Sequence, residues 1–338
     1  MDYRRQRGTG ALAGVVIATL VLAAMVVGGS AAAAAPAQST TGAVFHDRSA
    51  PVGLLPPVTS SASAATERSI IGTDDRTQVS DTTGFPFSAI AYLELYDASN
   101  TQIGSCTATF VGPDVLLTAG HCLWQAGAEG FTKHIHVVPA KDGALEPFGS
   151  EYATDWWVPE DYINSGGNDL FDWGEIRLPD TALTLLTGGW MQVAVLQTAT
   201  LEERRFTPAI VGYPADEPPA TMWGDSVPAF DSVEAHYLDY AIDTAAGQSG
   251  SAIWSLNPAE PYFGFVVGIH TSGGSPGAVG AAAADNRGTR IDEALLGDLL
   301  SGCDQMGCTL AYVVEPATGI PAGGSMPVRV AVAGVSRD

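Results

Sequence analysis

The chain has 338 residues, enough for one large domain or two small ones with terminal segments. Its 37 acidic and 15 basic residues give a formal net charge of −22, and 46% hydrophobic against 15% charged residues argues against general disorder. Residues 1–68 carry five arginines and three acidic residues, a net +2, so residues 69–338 carry −24. A nucleic-acid-binding protein needs a basic surface, so we expect no nucleic-acid partner.

The N-terminus has the pattern of an export signal. Arg4, Arg5 and Arg7 precede an apolar run over 11–27, and small residues follow. This order predicts a signal peptide over 1–35 that ends in an A-x-A sequence. An uncleaved membrane anchor is the alternative, because the apolar run is long for a signal. We expect a secreted protein with no membrane contact once the signal is removed.

The next two parts of the chain differ sharply in composition and patterning. Residues 36–68 are rich in Pro, Ser, Thr and Ala, which predicts a pro-segment or linker. Short β-rich runs broken by Gly, Pro, Asp and Asn then favour an all-β barrel or sandwich fold. These runs are SAIAYLEL (88–95), CTATFV (106–111), VLLTA (115–119), HIHVV (134–138), RFTPAIVGY (205–213) and GFVVGIH (264–270). A helix is predicted over 292–300, and the tail 301–338 receives no role.

Four cysteines in an exported chain indicate disulfides, and four cysteines allow three connectivities. Cys106 and Cys122 are sixteen residues apart, and Cys303 and Cys308 are five apart, so we expect each local pair to be bonded. No C-x-x-C sequence is present, which argues against a metal site built on cysteine.

Three short motifs contain the residues of a nucleophilic site. They are TAGHC (118–122), DWGEIRL (172–178) and GQSGS (247–251). A serine hydroxyl is a weak nucleophile that needs an imidazole to accept its proton and a carboxylate to orient that imidazole. Glycines allow the tight turn in which the N–H groups of Gly247 and Ser249 point at a developing oxyanion.

The motifs TAGHC, D-x-G-x-I-x-L and G-x-S-G-S resemble those of the chymotrypsin-like serine proteases. Four longer stretches resemble the secreted bacterial glutamyl endopeptidases within that group, and the resemblance covers about 69–300. The stretches are SIIGTDDRTQVSDTT (69–83), GYPADEPPATMW (212–223), DTAAGQSGSAIW (243–254) and GIHTSGG (268–274).

The resemblance implies two antiparallel six-stranded-type β-barrels, at about 85–180 and 190–285, with a short C-terminal helix. It implies His121 as general base, Asp172 as the residue that orients it and Ser249 as nucleophile. We expect no cofactor and a monomer that acts on proteins or peptides.

Two points about the site stay open in the sequence. Asp169 is the rival of Asp172, although Asp172 leads better into the alternating strand. His134 and His136 share one face of a strand, where they form either a metal pair or a solvated surface. Because no further ligand lies at suitable spacing, we predict no metal.

The resemblance also implies how the residue before the cleaved bond is recognised. A glutamate carboxylate needs hydrogen-bond donors or positive charge, which Thr244, His270 and the α-ammonium of Ser69 would supply. Asp243 lies where trypsin-like enzymes carry the aspartate that selects Arg or Lys, so cleavage after Arg or Lys is the alternative. A catalytically inactive binding protein is a further alternative, although all three motif residues are present.

Activation is expected to follow cleavage between Arg68 and Ser69, which would free the α-amino group of Ser69. Self-cleavage after Glu67 is the rival. Gln248 precedes the nucleophile where animal digestive enzymes carry an aspartate that pairs with the new N-terminus. Since Gln248 is neutral, the new N-terminus is expected near the substrate pocket instead.

Overall fold

The computed structural model describes residues 41–47, 68–127, 130–202, 206–273, 285–316 and 329–332. The predicted signal peptide, most of the predicted pro-segment and most of the last 22 residues lie outside these ranges. Within them, no helix combines the length and the apolar character needed to cross a membrane.

The described residues are mostly strands. The first eleven are β1 (Gly42–His46), β2 (Arg68–Ser69), β3 (Thr77–Gln78), β4 (Ile90–Tyr96), β5 (Gln102–Phe110), β6 (Val115–Thr118), β7 (Trp124–Gln125), β8 (Gly130–Phe131), β9 (His134–Pro139), β10 (Glu151–Tyr152) and β11 (Asp155–Pro159). The others are β12 (Gly174–Arg177), β13 (Gln192–Val195), β14 (Pro208–Gly212), β15 (Trp223–Ser226), β16 (Ser232–Val233), β17 (Tyr237–Tyr240), β18 (Thr244–Ala245), β19 (Ala252–Ser255), β20 (Phe265–Ser272), β21 (Asn286–Arg290), β22 (Thr309–Val314) and β23 (Arg329–Val332).

The helices are short except for the last. They are α1 (Gly120–Leu123), α2 (Glu160–Asn164), α3 (Ala182–Thr187), α4 (Thr198–Glu202) and α5 (Glu293–Met306), with 3₁₀ turns at Phe87–Ala89 and Asp169–Phe171. The predominance of strands agrees with the all-β class expected from the sequence.

The first barrel is built from β4, β5, β6, β9, the β10–β11 pair and β12, all antiparallel. Strands β10 and β11 are separated by only two residues and lie at the closure of the barrel: β10 pairs with β9 on one side, and β11 pairs with β12 on the other. Both intervening residues continue the hydrogen bonding: Ala153 N–H donates to the Ile135 carbonyl and Thr154 N–H donates to the Arg177 carbonyl, each at 3.0 Å.

The second barrel follows the antiparallel path β17–β21–β20–β19–β14–β15. Strand β13 departs from the expected antiparallel pattern, since it runs parallel to both β20 and β22. Strands β22 and β23, from the tail that the sequence left without a role, therefore extend this sheet. The two six-stranded units match the predicted architecture.

Strand β1 adds an edge to the first sheet by pairing with β11 over five residues. The sequence places this strand inside the predicted pro-segment 36–68. In the structure it is part of the folded unit, and the strand also packs against α2 and α5.

The C-terminal helix is longer than the predicted 292–300. It begins after Asp292, whose side chain accepts a hydrogen bond from the Leu295 N–H at 2.8 Å, and continues to Met306. Gly307 ends it in the left-handed conformation, with φ of 79°. A disulfide joins Cys303 in the last turn to Cys308 just beyond the helix.

The expectation that His134 and His136 form a solvated strand face is wrong. His134 is buried, and its Nδ1–H donates to Asp47 Oδ2 at 2.6 Å. His136 donates from Nδ1 to Glu94 Oε2 at 2.9 Å and stacks on Tyr152. Each imidazole has its own carboxylate because residues distant in sequence, including Asp47, cover this face.

Candidate active site

His121 and Asp172 form a two-point contact. His121 lies in the one-turn helix α1 directly after β6, and Asp172 lies just before β12, which pairs with β6. Asp172 Oδ1 accepts the backbone N–H of His121 at 2.8 Å, and Oδ2 accepts the ring Nδ1–H at 2.7 Å. Asp172 is buried whereas His121 is partly exposed, and the carboxylate fixes both the orientation of the ring and its tautomer, in which Nε2 is the basic nitrogen.

Asp169, the rival of Asp172, lies in an exposed 3₁₀ turn. The residue as a whole is exposed, but its carboxyl group is partly desolvated by the surrounding protein, and this, followed by the charge of Asp172, raises its pKa above the usual value. The two carboxylates are close enough to repel each other, but it is Asp172 that accepts the backbone N–H and the ring Nδ1–H of His121.

Ser249 lies in the turn between β18 and β19, two residues after Gly247 and directly before Gly250, both of which have positive φ. A Cβ on Gly247 would lie 2.4 Å from the Tyr213 carbonyl oxygen, and one on Gly250 would lie 2.3 Å from the Thr107 carbonyl oxygen. Both positions therefore require glycine for conformation and for space. Within the part of the chain that the structure describes, the N–H groups of Gly247 and Ser249 have no hydrogen-bond acceptor in the protein.

Thr107 fastens the Ser249 turn to the first barrel. Its N–H donates to the Ser249 carbonyl and its Oγ1 donates to the Gly247 carbonyl, both at 2.9 Å. The neighbouring Cys106 is disulfide-bonded to Cys122, which follows His121. Strand β5 therefore holds the serine turn through the hydrogen bonds of Thr107 and holds the His121 turn through the disulfide of Cys106. Sequence reasoning missed Thr107, since nothing in its local sequence marks it.

The bridge also bears on metal binding. Ligand atoms of Cys106, His121 and Cys122 lie within 4.8 Å of one another, a spacing that would suit a metal ion. Both sulfurs are in the disulfide, so neither is the thiolate that a metal requires.

His270 lies beside the serine turn, on β20. The Gly250 N–H donates to the His270 carbonyl and the His270 N–H donates to the Ser251 carbonyl, both at 2.8 Å. The ring is buried, and its Nδ1 lies 2.7 Å from the hydroxyl of Tyr240. Burial, and to a smaller extent the nearby His121, lowers the pKa of His270 to about 3, so the ring is neutral at physiological pH. Tyr240 is a second residue that the sequence did not single out.

Thr244 and Ser69 are direct partners in the two-stranded pairing of β18 with β2. The backbone of Ser69 therefore lies next to Thr244, five residues before Ser249. Gln248, also buried, accepts the Ala245 N–H through Oε1 at 3.0 Å and supports the same turn.

Asp243 belongs to this N-terminal contact. Its Oδ1 accepts the N–H of Ile71 at 2.7 Å and its Oδ2 accepts the N–H of Asp75 at 2.8 Å. The side chain is buried, and both oxygens are occupied by the backbone of the segment after Ser69. The sequence left open whether this carboxylate selects a basic substrate residue.

No family model matches the chain. The glutamyl endopeptidase of Bacillus licheniformis is 32% identical over 234 residues, which are 69% of this chain and 68% of the relative. A protein of Bacillus subtilis named extracellular metalloprotease is 30% identical over 66% of each chain. The Staphylococcus aureus glutamyl endopeptidase is 25% identical over 65% of this chain and 62% of its own.

The solved structures agree in fold. A Glu endopeptidase in complex with MPD superposes with a TM-score of 0.57 and 26% identity, over 68% of this chain and 97% of that one. The protease Anisep from Arthrobacter nicotinovorans, at 16% identity and a TM-score of 0.51, shares the fold over 68% of this chain and 99% of its own. The chain therefore belongs to the glutamyl endopeptidase family of chymotrypsin-like serine proteases and is a serine endopeptidase acting on proteins or peptides.

Proposed function

We propose that the protein is a secreted endopeptidase that cleaves after glutamate through an acyl-enzyme formed on Ser249. The contact between His121 and Asp172 carries this proposal, because a buried carboxylate that accepts the Nδ1–H fixes the tautomer in which Nε2 is the basic nitrogen of the ring. Ser249 Oγ attacks the carbonyl carbon of the substrate while its proton passes to Nε2 of His121. The imidazolium then protonates the leaving amine, and a water molecule hydrolyses the ester by the same route.

The negative oxygen of each tetrahedral intermediate is assigned to the N–H groups of Gly247 and Ser249. Two features support this assignment: positive φ at Gly247 and the lack of a protein acceptor for either N–H within the described residues. Preorganised donors of this kind typically contribute about 10²–10³ in turnover each.

Specificity for glutamate is assigned to three groups near the serine turn. They are the Thr244 hydroxyl, the ring of His270 and the α-ammonium of Ser69 after cleavage of the Arg68–Ser69 bond. The pairing of Ser69 with Thr244 supports this role for the new N-terminus. The pKa of His270, about 3, means that this ring recognises a carboxylate by hydrogen bonding rather than by charge, so the α-ammonium supplies the positive charge.

Specificity for Arg or Lys has less support, because its recognition residue would be Asp243. Both oxygens of that carboxylate accept backbone N–H groups from the N-terminal segment. We also propose a monomer without a nucleic-acid partner, in keeping with the net charge of −22.

Hydrolysis of matched peptides that differ only in Glu, Gln or Lys before the cleaved bond tests the proposal. We expect the Glu peptide to be cleaved at least about 100-fold faster than the other two, since a pocket built for a polar group rejects analogues that leave it unpaired.

Ser249→Ala should lower turnover by about 10⁶ without unfolding the protein, and a chelator should leave the rate unchanged. Preferred cleavage after Lys, or activity retained by Ser249→Ala, would overturn the proposal.

A further inference from the structure

Strand β1 precedes the proposed cleavage site between Arg68 and Ser69, yet it is built into the first barrel. Its five residues pair with β11, and the hydrogen bonding continues beyond both ends of the strand. The Glu160 N–H donates to the Thr41 carbonyl at 3.1 Å, and the Asp47 N–H donates to the Thr154 carbonyl at 2.8 Å. Seven consecutive residues, 41–47, are thus held by backbone contacts with the protease domain.

Aromatic contacts add to this pairing. The ring of Phe45 stacks on Trp156 with centroids 4.7 Å apart and lies 5.6 Å from the ring of Phe131. The ammonium group of Lys133 lies 5.3 Å from the centroid of the Phe45 ring, which is a cation–π contact. All three partners of Phe45 belong to the part of the chain after Ser69.

A buried hydrogen bond between a carboxylate and an imidazole anchors the C-terminal end of the segment. Asp47 Oδ2 lies 2.6 Å from His134 Nδ1, and the two side chains are only 2% and 8% exposed. Departure of the segment would leave His134 without this carboxylate, a costly change for a buried polar group. His46 next to it pairs with Asp155, which also contacts Arg177.

The N-terminal end of the strand is fitted to the domain by shape. A Cβ on Gly42 would lie 1.8 Å from the indole of Trp157, so this position accepts only glycine without a shift of the ring. Trp157 is fully buried, and its ring has little room to move.

We propose that residues 41–47 stay bound after the Arg68–Ser69 bond is cut, so that the mature enzyme contains two chains. The cut removes a covalent link but none of the contacts just described, and an added strand is a common way to hold a peptide on a sheet edge. Edge β11 is thus a peptide-binding site whose occupant is this chain's own N-terminal peptide. The inference rests on the proposed maturation at Arg68.

The full-length Ser249→Ala protein, cut with added trypsin, tests the proposal without self-cleavage. After size exclusion in native buffer, intact-mass analysis under denaturing conditions should find the domain beginning at Ser69 together with one equivalent of a peptide that contains 42–46. Trypsin can also cut after Arg48, which leaves residues 41–47 intact. A bound peptide that ends at Arg48 therefore supports the proposal as well as one that ends at Arg68. A domain that elutes without the peptide would overturn the proposal. The proposal would also fail if the Arg68–Ser69 bond stayed intact both after trypsin treatment and in naturally matured enzyme.

Gly42→Ala should release the peptide about tenfold faster or more, since a side chain forced against a buried ring weakens the contact by an amount of this order. Gly104→Ala is the matched control, because a Cβ at that strand position meets no atom within 4 Å. Phe45→Ala provides a second route, through loss of the Trp156 stack. Equal release from all of these variants and the parent protein would show that the contacts do not hold the peptide.

Wild-type enzyme can be analysed in the same way for its chain composition and assayed for cleavage after Glu, which separates this inference from the proposed specificity. Two chains with no preference for Glu would support strand retention and refute Glu specificity. A single chain starting at Ser69 that cleaves after Glu would do the reverse.

Discussion

At the scale of single residues, Asp243 shows how a side chain's role depends on what reaches it. Its position relative to Ser249 matches a residue that selects Arg or Lys, yet both oxygens accept N–H groups from Ile71 and Asp75. The carboxylate therefore holds the segment that follows Ser69. In the proposed mechanism it is a positioning residue for the new N-terminus.

Asp243→Asn tests this role. An amide has only one acceptor oxygen, so one of the two backbone N–H groups loses its partner and the N-terminal segment loosens. We expect KM for a Glu peptide to rise about tenfold, the effect of losing roughly one buried charge-assisted hydrogen bond. Turnover at saturating substrate should change far less.

Steady-state kinetics on Glu and Lys peptides provide the measurement. If Asp243 instead faced the substrate, the substitution would remove activity on Lys peptides and improve activity on Glu peptides, contrary to this account.

Local sequence was sufficient for some residues of the site and insufficient for others. His121, Asp172 and Ser249 stand in motifs whose glycines and flanking strands are visible in the chain, and the structure brings His121 and Asp172 together. Thr107 and Tyr240 have no such signal. Their roles depend on contacts with residues that are distant in the chain, which only the fold creates.

At the scale of elements, the C-terminal helix α5 covers a buried acid on the first barrel. Glu175 on β12 is fully buried, and among the described residues neither of its carboxylate oxygens has a hydrogen-bond partner. A Cβ on Gly302 of α5 would lie 2.4 Å from Glu175 Oε2, which explains a glycine inside this helix. Burial, and then the charge of Asp298, raises the pKa of Glu175 well above its usual value, and burial raises that of Asp298 to about 7.

These shifts make the stability of the fold depend on pH. A carboxyl group with a raised pKa in the folded state binds its proton more tightly there than in the unfolded chain. Its stabilising contribution is therefore full below the unfolded pKa, near 4, and is lost as pH rises through the folded value. Glu175→Gln should remove the part of this loss that comes from Glu175 and leave the part that comes from Asp298, so we expect the variant's melting temperature to exceed that of the parent by a margin that grows between pH 4 and pH 8.

Thermal unfolding at several pH values checks this, with Glu293→Gln, at an exposed position of the covering helix α5, as the control. A margin that stays constant or shrinks with rising pH would mean that Glu175 is ionised in the folded protein.

Elements whose order depends on distant partners were the hardest to foresee. Residues 42–46 show little periodicity within a Pro- and Ser-rich stretch, and they become a strand because β11 offers an open edge. The helix prediction ended at Leu300, although Gly302 allows close packing and the helix continues to Met306. Strand β22 gains its partner from β13, more than 110 residues earlier.

At the scale of the whole molecule, charge works against the proposed substrate. Residues 69–338 carry −24, so an acidic peptide is repelled during approach even if the pocket itself is positive. Salt screens such repulsion, with a Debye length of about 30 Å at 0.01 M and about 8 Å at 0.15 M.

For a Glu peptide with acidic flanking residues, we expect kcat/KM to rise about threefold or more across that range of ionic strength, because long-range fields change association rates by at least this order. The same peptide with basic flanking residues should show a fall. A fall with salt for the acidic peptide would indicate that a positive field around the cleft dominates the net charge.

The proposed enzyme combines one nucleophile, Ser249, with specificity for glutamate, and a peptidyl phosphonate diphenyl ester tests both at once. The serine oxygen displaces phenol from phosphorus and leaves a stable adduct on the nucleophile. With a glutamyl side chain, the probe should add one equivalent that maps to Ser249, while the lysyl analogue should react at least about 100-fold more slowly. Label on another residue would rule out Ser249 as the nucleophile, and faster labelling by the lysyl probe would rule out specificity for glutamate.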